Sequence, residues 1–220
     1  MTAVESILEA GNRLPDSILD SSGELLYSGV QTIRPGRVYL LGLNPGGNPK
    51  EFPDTVRDRL RQLPARRENS YLASWAGREP GTHRLQRGVR WLAEQLDLRV
   101  EDLCASNLIF VRSQNERGCG FPDNATACWP VHTAILAAVR PRIILTFGKS
   151  PYDFVRSRLT PKSELSSFPS GHGNWQCRAF QTDDFVVVGL PHMSVYAIYQ
   201  DHGDVGRWLF GLLNGRTVTA

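Results

Sequence analysis

The sequence predicts an α/β domain: a three-layer α/β/α sandwich around a central, mainly parallel four-stranded sheet. Two observations carry that expectation. Four short apolar runs, VYLLGL (38–43), LCASNLIF (103–110), RIILTF (142–147) and FVVVGL (185–190), are nearly continuous rather than alternating. Strands buried on both faces have this pattern. Between the runs lie segments with helical periodicity, and strand–helix alternation is what a parallel sheet covered by helices requires.

Taken in order, residues 1–36 read as a helix and a connector with no chemistry assigned to them. The first apolar run ends in Asn44-Pro45-Gly46-Gly47-Asn48-Pro49, a turn composition that stops a strand abruptly. Leu85, Val89, Leu92 and Leu96 place a helical stripe within 82–98. A second helix is predicted over 124–139, with Pro130 near its start, and a third over 150–159, opened by Ser150-Pro151 as N-cap and first turn. CRAFQ and FVVVG flank Thr182-Asp183-Asp184, which reads as a hairpin and gives the last strand an antiparallel neighbour at the sheet edge.

The bulk numbers fit one domain spanning 1–220. Of 220 residues, 41% are hydrophobic and 21% charged, a globular rather than a disordered balance. The net charge of +3 and pI near 8.8 permit a polyanionic partner without requiring one. No run approaches the ~20 apolar residues of a membrane helix, and MTAVESILEAGNRLPDS lacks the basic and apolar regions of a signal peptide. A cytoplasmic protein with reduced thiols is expected. Cys104, Cys119, Cys128 and Cys177 contain no C-x-x-C spacing. Plain buried thiols therefore fit better than a metal site built on Cys119, Cys128 and His132, and neither metal nor cofactor is expected.

In an open parallel sheet, ligands bind where the loops gather at the carboxyl ends of the strands. Four groups fall there: Asn44 with Gly46 and Gly47; Asn107 with Arg112; Lys149; and His192 with Met193 and Ser194. Two familiar motifs are excluded. Gly148-Lys149-Ser150 resembles the end of a phosphate-binding P-loop, but Ile143 stands where its first glycine belongs. Gly42, Gly46 and Gly47 lack the G-x-G-x-x-G spacing of a dinucleotide fold, and Pro49 and Pro53 interrupt any helix there.

The rim residues resemble the uracil-DNA glycosylase superfamily over about residues 37–200. Gly42-Leu43-Asn44-Pro45-Gly46 is similar to the G-[IM]-N-P-G motif of its mismatch-specific and single-strand-selective branches. Residues 96–117, with Asn107, resemble the segment carrying the base-reading asparagine. Residues 124–148 resemble the helix and third strand, and Pro191-His192-Met193-Ser194 resembles the H-P-S motif after the last strand. Two departures stand out. Met193 replaces a proline, and the stacking phenylalanine usually found about a dozen residues past the first motif is absent at that spacing. Phe52, which comes sooner, Tyr71 and Trp75 are the aromatics left to stack on a base. Nothing here matches the early C-x-x-C of the iron–sulfur branch.

What the resemblance implies is a monomeric, monofunctional DNA glycosylase of base excision repair that acts on uracil or a related deaminated base. Asn44 would orient the attacking water, since a carboxamide oxygen accepts a hydrogen bond but is no strong base. Asn107 offers one donor and one acceptor, the complement of uracil O4 and N3–H. His192 would donate to O2 as negative charge builds on the leaving base. Gly42, Leu43 and Phe52 would frame the base. Gly46, Gly47, Arg112, Lys149, Met193 and Ser194 would meet the DNA strand. The arginines at 57, 59, 61, 66 and 67 alternate with acids and read as a solvated helix face rather than a DNA stripe. Two rival readings remain: a binding member of the same fold without catalysis, and a hydrolase of small N-glycosides.

Overall fold

The computed structural model describes residues 1–75, 77–197 and 203–215. Its elements, in chain order, are α1 (Ala3–Gly11), α2 (Asp16–Leu19), β1 (Val38–Gly42), α3 (Val56–Gln62), α4 (Arg84–Gln95), β2 (Cys104–Asn107), α5 (Asp123–Val139), β3 (Ile143–Phe147), α6 (Lys149–Arg158), β4 (Ser163–Pro169), β5 (Gln176–Gln181), β6 (Val186–Leu190) and α7 (Gly203–Leu213), with short 3-10 turns between some of them. The strands form one sheet in the order β2-β1-β3-β6-β5-β4. The first four are parallel, and β6–β5 and β5–β4 are antiparallel.

The four apolar runs are thus the parallel part of the sheet, and β5 is the antiparallel neighbour expected for the last strand. The strand count needs correcting. Among the described residues the sheet has six strands, not four. The strand with no sequence signal, β4, reads SELSSFP. It is an edge strand with a partner on one side only, so it needs no apolar run to bury.

Helices cover both faces. Tyr39 and Leu41 of β1 pack toward α1, α3, α5 and α6, while Val38 and Leu40 pack toward α4 and α7. Alternate residues therefore enter opposite cores, and every residue of β1, β3 and β6 is buried. Consecutive side chains on a strand point to opposite faces, so double coverage removes the polar–apolar alternation.

Two helix details differ from the sequence reading. Pro130 lies well inside α5 rather than near its start. The burial of Val131, Ile135 and Val139 on the same helix outweighs the backbone hydrogen bond that proline removes. Helix α6 starts one residue early, at Lys149, with Gly148 as N-cap at φ 102° and no side-chain cap. Ser150, no longer the cap, donates its hydroxyl to Glu116.

His132 is wholly buried in α5. Its Nε2 lies 3.0 Å from the Leu108 carbonyl, which can only accept, so Nδ1 takes the Tyr39 hydroxyl at 2.9 Å. Burial pulls its pKa down to about 4 against that hydrogen bonding. Both nitrogens serve the core. All four cysteines are buried free thiols, and among the described residues no cluster of His, Cys, Asp and Glu could hold a metal. No described helix is long and apolar enough to cross a membrane.

Candidate active site

Because β2, β1, β3 and β6 run parallel, their carboxyl ends share one edge of the sheet. There a cleft of about 570 Å³ opens. Nine of the sequence-selected residues line it: Gly42, Leu43, Asn44, Gly46, Gly47, Phe52, Asn107, His192 and Ser194, together with the two alternative aromatics Tyr71 and Trp75.

Asn44 follows β1 by two residues. Its amide nitrogen donates to Pro45 O at 2.9 Å, Ser113 Oγ at 3.0 Å and Ser113 O at 3.2 Å. The Ser113 hydroxyl donates in turn to Asn115 O at 2.5 Å. With carbonyls fixing the nitrogen, the amide orientation is set, and Oδ1 has no donor among the described residues. The group left for a ligand is therefore an acceptor.

Asn107 ends β2 in register with Gly42 of β1. It is 8% exposed and lies over Gly42, where a Cβ would come within 2.1 Å of its Oδ1. Any larger residue at position 42 would have to displace that carboxamide. Beside it, burial raises the Tyr27 phenol to about 12, partly opposed by Arg112 and by the Asn107 side chain. A buried carboxamide normally finds partners for both its ends. This one faces a cleft.

His192 follows β6 by two residues. The backbone N–H of Ser194 donates to its Nδ1 at 3.3 Å, and Ser194 Oγ lies 2.7 Å from the same atom. An N–H can only donate, so Nδ1 carries the lone pair and the neutral ring carries its proton on Nε2. Burial lowers the pKa of His192 against its backbone hydrogen bond, which keeps the ring neutral at neutral pH. The cleft thus receives an imidazole N–H donor.

Three sequence-selected residues lie elsewhere. Met193 is 0% exposed and packs against Gly88 of α4; it anchors the His192 segment from inside and has no surface for a DNA strand. Lys149 is exposed, pairs with Asp153 and borders a separate hollow of about 260 Å³. Arg112 is 8% exposed. It donates to Gly46 O and its guanidinium lies 4.0 Å from the centre of the Phe52 ring, so phosphate contact is not its role in this arrangement. His172 lies against the Tyr196 ring at 5.1 Å, and His202 lies outside the described residues.

The arginine cluster is only partly a solvated face. Arg57 pairs with Asp16 and Asp20, and Arg61 with Asp58. Arg59 and Arg66 turn inward, 20% and 12% exposed, and share Glu24 at 3.4 Å each. Burial raises the Glu24 carboxyl against the pull of Arg66 and Arg59.

Sequence reasoning assigned no role to Ser113, Tyr27 or His83, which also line the cleft. Ser113 sits six residues past Asn107, in the segment that leaves the end of β2. Tyr27 had no local signal. Residues 23–27 run beside β2 through bridges Gly23↔Val111 and Leu26↔Ser106, a pairing that nothing in their composition announces. There Tyr27 joins Tyr71 and Trp75, at ring separations of 6.0 and 5.9 Å. No family model matches the chain, and no curated protein matches it.

Proposed function

We propose that this chain is a DNA glycosylase that hydrolyses the N-glycosidic bond of uracil or a related deaminated base, as the resemblance to the uracil-DNA glycosylase superfamily implies. One observation supports this above the others. Three polar side chains from the ends of three parallel strands meet in one cleft, each with its ligand-facing group defined: an acceptor at Asn44, a donor at His192 and a carboxamide at Asn107.

Cleavage passes through an oxocarbenium-like sugar while the base departs as an anion, so the nucleotide must first leave the helix. In this reading Asn107 pairs with the base edge and refuses cytosine, whose donors and acceptors are reversed. Asn44 Oδ1 accepts a hydrogen bond from water and aims it at the sugar; positioning replaces a strong base. The His192 Nε2–H donates to the oxygen on which charge accumulates, and a fixed dipole there needs no reorganisation as the bond breaks. Phe52 on one side and the Tyr71–Trp75 wall supply apolar faces.

A second reading has its own support. The cleft is lined by Glu51 and Glu116 but by no lysine or arginine, a charge balance unfavourable to a phosphate backbone. It suits a small, uncharged nucleoside. One experiment separates the two: oligonucleotides carrying uracil, hypoxanthine, xanthine or a G·T mismatch, single- and double-stranded, are incubated with the protein and treated with alkali, with free deoxyuridine in parallel. Strand breaks abolished by Asn44→Ala or His192→Ala bear out the glycosylase. Splitting of free nucleoside alone bears out the second reading, and binding without breaks leaves a non-catalytic member of the fold.

A further inference from the structure

We infer that Arg112 works through the Phe52 ring, as a positive charge held behind the base, to stabilise the negative charge that builds on the leaving group. The inference rests on the glycosylase reading for its reaction, while its geometry stands alone.

Phe52 lines the cleft and Arg112 does not, yet the guanidinium carbon sits 4.0 Å from the ring centre. The ring is therefore interposed between the charge and the cleft. The arrangement is built rather than incidental. The guanidinium is pinned by its bond to Gly46 O, and the Arg112 backbone N–H donates to Ser22 O at 2.8 Å. Ser22 Oγ donates to Phe52 O at 2.6 Å, so one residue ties both partners. Gly47, at φ 103°, lets the turn pass the ring; a Cβ there would lie 3.0 Å from the Phe52 edge.

Among the described residues no carboxylate pairs directly with Arg112; Glu24, held by Arg59 and Arg66, acts on it only at longer range. The Arg112 Nε is buried without a hydrogen-bond partner. Burying a guanidinium in this state is costly, and a core arginine packed only for shape would be expected to find a carboxylate.

The face of a bare aromatic ring is negative and resists an anion stacked upon it. A cation on the far face offsets that field. A base stacked on the cleft side lies roughly 8 Å from the guanidinium, close enough in a partly buried site for a full charge to change the rate on the order of tenfold. Arg112 is then a positioning residue: it never touches the base.

Single-turnover cleavage of oligonucleotides carrying uracil or 5-fluorouracil tests this, because fluorine makes the base a better leaving group. Arg112→Met is expected to slow uracil release on the order of tenfold and 5-fluorouracil release distinctly less, with Arg112→Lys recovering part of the loss. Equal slowing of both substrates, the mark of a structural role, would overturn the inference. Should Arg112→Met fail to fold, Arg112→Gln removes the charge, keeps a side-chain donor for Gly46 O, and is expected to show the same leaving-group dependence. A second arm needs no cleavage: the pKa of bound 5-nitrouracil is read from its absorbance. The wild-type protein is expected to lower it and Arg112→Met to abolish the shift, even if no oligonucleotide is cut, in which case the glycosylase reading alone falls. An unshifted pKa in the wild type, or no binding, overturns the inference whatever the cleavage assay gives.

Discussion

At the scale of single residues, each polar group in the cleft has one side committed to the protein and one side left over. Asn44 commits its nitrogen, His192 its Nδ1. Replacing Asn107 by aspartate exchanges a donor for an acceptor without changing shape. An unmet pairing in a buried site costs about 1–3 kcal/mol, so Asn107→Asp is expected to lower uracil excision on the order of 10–100-fold in single-turnover assays. Gly42→Ala is expected to do comparable damage, since its Cβ would displace the Asn107 oxygen 2.1 Å away. The pH profile follows from His192, whose pKa burial depresses below the ordinary histidine value. With its pKa below 6.5 the ring is predominantly neutral at pH 7 and above, and the rate is expected to change little as pH falls from 8.5 to 7. A rate falling steeply between pH 8 and 7 would show that His192 is not held neutral.

At the scale of elements, the site depends on parallel strands ending at one edge and on helices that fix the loops behind it. Helix α4 approaches the His192 segment at Gly88, where a Cβ would lie 2.8 Å from Met193 Sδ and 3.1 Å from its Cβ. Gly88→Val is therefore expected to push residues 191–194 and reduce base excision severalfold while thermal melting remains cooperative. The parallel strands were legible because burial on both faces leaves nearly unbroken apolar runs. Two of the ends were legible too, because Asn44 and His192 come just after their runs; Asn107 lies inside the run 103–110, and β2 stops there before the apolar residues do. What escaped was placed by pairing or packing alone. The polar strand β4 needs a partner on one side only, Tyr27 reaches the cleft by running beside β2, and Arg112 is drawn inward by Gly46 and Phe52. No local pattern encodes such contacts.

For the whole molecule, the buried His132 links stability to pH. Its pKa is about 4 in the folded protein against about 6.5 in an unfolded chain. The unfolded state therefore binds more protons between those values, and stability rises with pH across that range. The contribution is fully present above about pH 6.5 and is lost as pH falls toward 4, a change of roughly 3 kcal/mol. Glu24, whose carboxyl is raised by burial, acts in the opposite direction and offsets part of it. Urea unfolding at pH 7 and pH 4.5 is expected to show the drop in the wild type and a smaller one in His132→Gln, which keeps a donor and an acceptor but does not titrate.

The central claim is that the cleft at the carboxyl ends of the parallel strands excises a base. Mass spectrometry of the products from a uracil-containing oligonucleotide, under single-turnover conditions, tests it most directly. The wild-type protein is expected to yield free uracil and an abasic strand in equal amounts, with both lost together in Asn44→Ala and in His192→Ala. An intact oligonucleotide after incubation with folded wild-type protein, or base release unaffected by those substitutions, would contradict it.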